Sequence, residues 1–168
     1  MESKLTGRVW KFGDDVSTDH IIAGKYLGSM DPEVLAEHAM ENVDPQFSKK
    51  VTPGDIIVAG SNFGCGSSRE QAPMALKAAG IACVVANTFA RIFYRNSINI
   101  GFPVVECPGL HERLKEGETI VIDLEAGHVS LPNGAEVPFD RLPPNIMEIL
   151  RAGGFVPKLR ADLASHRS

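Results

Sequence analysis

The chain has 168 residues, enough for one domain that buries about two thirds of the surface its unfolded form would expose. Hydrophobic residues make up 43% and charged residues 23%, a composition that excludes a disordered or fibrous chain. With 17 basic against 21 acidic residues the formal net charge is -4, the wrong sign for a polyanion-binding surface, so nucleic acid is not an expected partner.

Met1 to Leu5 do not read as a signal peptide, and no apolar run reaches the ~18 residues that cross a bilayer, so the expectation is a cytoplasmic protein without membrane contact. Cys65, Cys83 and Cys107 are odd in number and not closely spaced, which suits reduced thiols rather than a disulfide framework.

In chain order, Gly7 to Phe12 alternates like a strand and runs into a polar loop, Gly13 to His20. Asp31-Pro32-Glu33 reads as a cap with proline in the first helical turn, and Val34 to Met40 carries the apolar stripe of a short helix. Asp55 to Ala59 is a compact apolar strand, followed by a glycine and serine loop, a helix over Ala72 to Ala79 and a strand over Ile81 to Ala86. This is a βαβ unit with parallel strands, and the loop after its first strand lies at the carboxyl end, where open α/β sheets bind ligands. A further helix spans roughly Thr88 to Ile100, closed by Gly101 and Pro103. Short strands follow at Thr119 to Asp123, His128 to Leu131 and Glu136 to Pro138, with Asn133-Gly134 as a hairpin signal. Pro144 to Arg151 forms a last helix ended by Gly153-Gly154, and the tail after about 155 is expected to be mobile in part. The expected fold class is α/β: one domain over residues 1–168, with a mixed or parallel central sheet, helices packed on it and extra short strands.

The most informative stretch is Gly60-Ser61-Asn62-Phe63-Gly64-Cys65-Gly66-Ser67-Ser68-Arg69-Glu70. Glycines there let the backbone of Gly64, Cys65 and Gly66 approach a ligand closely. Ser67 and Ser68 stand just before a helix, where unpaired N–H groups favour an anion, and Arg69 adds a fork of donors suited to carboxylate. As a generic loop, G-x-G-S-S divides evenly between an anion cradle and a plain tight turn. It lacks the lysine spacing of a P-loop, so a nucleoside triphosphate is not expected.

The run Asn62 to Glu70 resembles the loop of the swivelling domain in the aconitase superfamily, as found in the small subunits of isopropylmalate dehydratase and homoaconitase. Ser17-Thr18-Asp19-His20-Ile21 is similar to that family's upstream acidic motif, and Phe89-Ala90-Arg91-Ile92-Phe93-Tyr94-Arg95-Asn96 to its downstream helix. The resemblance implies a swivelling β/β/α domain of aconitase type and a hydro-lyase that dehydrates a 2-hydroxy acid and rehydrates the neighbouring carbon. It implies Ser67 as the base, with Ser68, Arg69, Asp19 and His20 binding substrate. For Arg91 and Arg95, ion pairs on a helix flank remain the better reading for at least one.

The family uses a [4Fe–4S] cluster, which is held by cysteine thiolates, typically with two in a C-x-x-C pair. This sequence has no such pair, so no metal ligand is assigned and no cofactor is expected on this chain. The cluster is expected in a large partner subunit, in a heterodimer or heterotetramer with the active site between chains. The family's specificity loop corresponds to Tyr26, Leu27, Gly28 and Ser29, which lack the arginine that meets a third carboxylate in homoaconitase-type loops. An apolar substituent is therefore favoured, as in the isopropylmalates on the route to leucine, although Lys25 leaves homoaconitase open and the small Gly28 leaves 2,3-dimethylmalate as a competitor. From a different class, a carboxylate-binding or regulatory module that kept the fold without the chemistry remains an alternative.

Overall fold

In a computed structural model of the chain, which describes residues 2–166, the first strand β1 (Lys4–Lys11) is eight residues long because it serves two kinds of neighbour. Its last three residues, Val9 to Lys11, pair in parallel with β2 (Ile56–Val58), while Lys4 to Arg8 pair antiparallel with β5 (Thr119–Asp123). With β3 (Cys83–Ala86), β4 (Val104–Glu106), β6 (His128–Ser130) and β7 (Glu136–Pro138) this makes one seven-stranded sheet in the order β4-β3-β2-β1-β5-β6-β7. The β4 to β1 half is all parallel, with Trp10, Ile57, Val84 and Val104 in one row across it, and the β1 to β7 half is antiparallel.

Burial follows from this division. Every residue of β2 and β3 is buried, as expected for parallel strands covered on both faces, whereas β5 alternates between buried and more exposed positions. The hairpin between β6 and β7 turns where the sequence places it: Gly134 has φ +88° and Asn133 Oδ1 accepts from Ala135 N at 2.9 Å.

The helices are α1 (Thr18–Ile21), α2 (Pro32–Glu37), α3 (Phe47–Lys50), α4 (Gln71–Ala79), α5 (Arg91–Asn99), α6 (Pro144–Ala152) and α7 (Phe155–Ser165). Asp31 caps α2 as expected, its carboxylate accepting from Glu33 N at 3.0 Å. α2 packs on α4, α4 on α5, α5 on α6, and α6 on α7. One apolar cluster spans the sheet and its helices; Trp10 meets Phe47 edge to face at 4.9 Å. The buried Asp55 beside them accepts from Trp10 Nε1 (2.9 Å), Thr52 N (2.9 Å) and Arg8 Nη2 (3.2 Å), so its charge is satisfied.

Three details differ from the sequence expectation. The stretch read as a polar loop closes into the single turn α1, because Ser17 and His20 form a capping box: Ser17 Oγ accepts from His20 N (3.1 Å) and His20 Nδ1 accepts from Ser17 N (3.0 Å). The helix expected from Thr88 starts only at Arg91, since residues 88–90 are drawn into pairing with the preceding loop. Beyond residue 155, where no regular element is expected, the chain forms the eleven-residue α7, which starts directly after Gly154; residues 167 and 168 lie outside the described residues.

Candidate functional site

The loops after β1, β2 and β3 meet at the carboxyl ends of the parallel strands, and the middle one, residues 59–70, is tied to both of its neighbours. On one side Gly64 N donates to Val16 C=O (2.7 Å) and Thr18 N to Cys65 C=O (2.8 Å). On the other, Phe63 N donates to Thr88 C=O (3.1 Å) and Ala90 N to Phe63 C=O (3.0 Å). The loop thus extends the parallel sheet by one short rung on each side. Asn62, at φ +61°, donates from Nδ2 to Asp15 Oδ1 (3.0 Å), and Ser61 N donates to Asp14 Oδ1 (2.7 Å).

Glycine at 64 is needed twice over. Its φ is +83°, and a Cβ there would stand 2.2 Å from Phe93 Cγ. Phe93 belongs to a ring cluster with Phe63 (5.3 Å) and Phe89 (6.1 Å), so the floor of the loop is a packed aromatic layer rather than solvent.

On this base Ser67 and Ser68 are exposed, and among the described residues neither hydroxyl has a hydrogen-bond partner. Neither caps α4, whose N-cap is Glu70 without a side-chain bond. The serine main chain is held instead by Thr18, which is 3% exposed and donates from Oγ1 to Ser67 C=O at 2.8 Å. Arg69 folds back over α1: its Nη1 donates to Asp19 Oδ1 (3.0 Å) and Ile22 C=O (3.1 Å). Asp19 and Arg69 are therefore brought together, while the adjacent His20 is exposed and turns its Nδ1 to Ser17.

Ser67 and Arg69 share a cavity of about 310 Å³ with Thr18, Gly66, Arg91 and Asn96. Larger grooves of about 660 and 550 Å³ lie beside Arg141 and between α5, α6 and α7, but neither includes a residue of the 59–70 loop. Convergent polar groups, rather than volume, favour the smaller cavity. The expected flank ion pairs do not form: among the described residues neither Arg91 nor Arg95 makes one, although Glu106 lines the same groove as both.

The neighbouring segment 24–30 is anchored from two directions. Tyr26 stacks on His38 (3.8 Å between ring centres) and donates its hydroxyl to Glu41 Oε1 (2.8 Å); His38 Nδ1 lies 2.8 Å from Glu41 Oε2. The bond to Glu41, helped by burial, holds the Tyr26 phenol above its ordinary range. Burial pushes Glu41 up, but the bonds from His38 and Tyr26 outweigh it and keep the carboxyl below the usual range. Lys25 Nζ sits over the Tyr26 ring, 5.2 Å from its centre. From the other side Gln71 Nε2 donates to Leu27 C=O (3.1 Å). Ser29 Oγ accepts from Asp31 N (3.1 Å), and Gly28 has open space where a Cβ would stand.

Thr18 lies within the acidic motif, which assigns it no role, and Gln71 falls just outside the serine loop motif. Each acts across more than forty residues of sequence, which no local spacing encodes.

The thiols do not form a cluster site. Cys83 and Cys107 are buried and their thiols are pushed up by burial; Cys65 is half-buried and alone. Among the described residues no three His, Cys, Asp or Glu side chains come together as metal ligands, and no helix is long and apolar enough to cross a membrane.

Residues 15–108 match the family described as the aconitase C-terminal domain. The chain is 55% identical over 163 residues to the 3-isopropylmalate dehydratase small subunit 1 of Methanopyrus kandleri, covering 96% of each chain. It is 53% identical to the isopropylmalate/citramalate isomerase small subunit of Methanocaldococcus jannaschii over 98% of each chain. The crystal structure of 3-isopropylmalate dehydratase (leuD) from Methanocaldococcus jannaschii superposes with a TM-score of 0.91 at 45% identity, covering 98% of this chain and 99% of that one.

Proposed function

Because this chain belongs to the aconitase C-terminal domain family, and within it to the small subunits of 3-isopropylmalate dehydratase, we propose that the Ser67 loop is its half of a composite active site. The reaction removes water from 2-isopropylmalate and returns it at the neighbouring carbon to give 3-isopropylmalate, a step towards leucine. Supporting the site assignment above all is one observation: the unpartnered Ser67 hydroxyl opens on the same cavity as Arg69.

In this reading Ser67 Oγ takes the proton from the carbon beside a carboxylate and gives it back on rehydration. A serine hydroxyl in water is too weak an acid to supply an alkoxide, so donors must surround it and water must be kept away. Nη1 of Arg69 is committed to Asp19 and Ile22, which fixes the guanidinium plane and leaves Nη2 and Nε for the substrate. With the Ser68 hydroxyl they hold one carboxylate and set the reacting carbon over Ser67. Thr18 fixes the Ser67 main chain, so the hydroxyl starts from a defined place.

The thiols of this chain do not fit as ligands of a [4Fe–4S] cluster, so we place that cluster, which would supply the Lewis acid for the leaving hydroxyl, in a large partner subunit. The complex is a cytoplasmic heterodimer or heterotetramer. At the specificity loop no arginine stands at Gly28 or Ser29, and Lys25 is engaged with Tyr26, which favours an apolar substituent over a third carboxylate. The open space at Gly28 supports smaller branched malates, dimethylmalate or citramalate, as further substrates.

The test is reconstitution with the anaerobically loaded large subunit, following the unsaturated intermediate by absorbance with isopropylmalate, dimethylmalate, citramalate, homocitrate and citrate in parallel. Isopropylmalate is expected to give the highest kcat/KM, and Ser67→Ala to abolish turnover while the subunits still co-elute. Near-normal turnover by the alanine variant would remove Ser67 from the mechanism.

A further inference from the structure

Two arginines line the 310 Å³ cavity, Arg69 and Arg91, and they differ in how far they are already engaged. Arg69 is part-neutralised by Asp19. Arg91 is exposed and, among the described residues, its guanidinium makes no hydrogen bond or ion pair. It stands on the ridge shared with the 550 Å³ groove, yet it is not paired with Glu106 there. Arg95, one turn later on α5, lines that groove only.

A malate carries two carboxylates, and each loses hydration on entering a cavity closed by a partner chain. Each therefore needs its own charged donors, and a single arginine already shared with an aspartate meets only one of them. The backbone of Arg91 is well placed to serve the other. The preceding Ala90 N is bonded to Phe63 C=O, and Phe93 is buried against Gly64, so the start of α5 is fixed relative to the serine loop.

We propose that Arg91 binds the second carboxylate of the substrate, opposite the one held by Arg69. This rests on the reading of the Ser67 loop as the active site. A guanidinium is the suitable group because it stays charged at any working pH and meets a carboxylate with two parallel donors.

The experiment uses the reconstituted complex with Arg91→Met, Arg91→Lys and, as a control, Arg95→Met. Kinetics with isopropylmalate are combined with competitive inhibition by 2-(hydroxymethyl)-3-methylbutanoate, which keeps the branched carbon of 3-isopropylmalate with the carboxylate assigned to Arg69 and lacks the carboxylate beside the hydroxyl. Arg91→Met is expected to raise KM about tenfold or more with a smaller change in kcat, since a charge-assisted hydrogen bond of this kind is lost. Inhibition by the monocarboxylate should hardly change, Arg91→Lys should recover part of the loss, and Arg95→Met should behave like wild type. The assignment is overturned if KM is unchanged, if the mono- and dicarboxylate weaken equally, or if the variants no longer assemble with the large subunit, which would give the guanidinium to the subunit contact. A wild-type complex inert towards isopropylmalate would sink the active-site reading as well.

Discussion

Arg69 and Asp19, fifty residues apart in sequence, are joined by a 3.0 Å hydrogen bond from Nη1 to Oδ1 that closes the serine loop onto the turn after β1. The aspartate side chain is 64% exposed and that of the arginine 17%, so the pair adds at most about 1 kcal/mol to stability. In the proposed mechanism its weight lies in aiming the guanidinium. Asp19→Asn should leave the thermal midpoint nearly unchanged and lower kcat/KM for isopropylmalate by about 10- to 100-fold, as expected when a charge-assisted bond that fixes a binding group is weakened. A large stability loss with normal kinetics would show that the pair serves the fold.

Gly64→Ala combines a left-handed backbone with a clash against Phe93. Its cost is expected to be about 2 kcal/mol or more in urea unfolding, together with loss of turnover. Gly28→Ala, with open space and no left-handed backbone, is the matched control and should unfold within about 0.5 kcal/mol of wild type.

The Tyr26, His38 and Glu41 cluster should respond to acid. Glu41 is held below its ordinary range, so its contribution to stability is present above the unfolded glutamate value and is lost as the pH falls through the lowered one. Urea midpoints of wild type and Glu41→Gln measured down a pH series should differ at neutral pH and converge in acid. A constant difference would remove the carboxylate charge from the account.

Thiol labelling separates the cysteines. Cys83 and Cys107 are 0% and 1% exposed, with thiols pushed up by burial, whereas Cys65 is half-buried in the loop. A disulfide reagent should modify one thiol in the native chain and three in urea, and Cys65→Ser should abolish the native reaction. Fast labelling of two or more native thiols would contradict this packing.

The parts of the fold legible in the sequence are those written by neighbours a few residues apart. Asp31-Pro32 marks its helix start, Asn133-Gly134 its hairpin, and the apolar runs around Ile57 and Val84 their buried parallel strands. The serine loop is legible for the same reason, as a contiguous motif. What sequence does not disclose is how distant groups meet. Thr18 bonding the Ser67 main chain, Gln71 holding Leu27 and Arg69 reaching Ile22 are consequences of the sheet order. Helix α1 escapes notice because a capping box of Ser17 and His20 replaces the usual glutamate with an imidazole.

The double pairing of β1 also sets when the polypeptide can finish folding. The strand made first sits mid-sheet and needs residues 56–58 on one side and 119–123 on the other. During synthesis it waits, half partnered, until three quarters of the chain has left the ribosome. Assembly of this subunit is therefore expected to be a late, nearly all-at-once event, with an apolar edge open to chaperones until then.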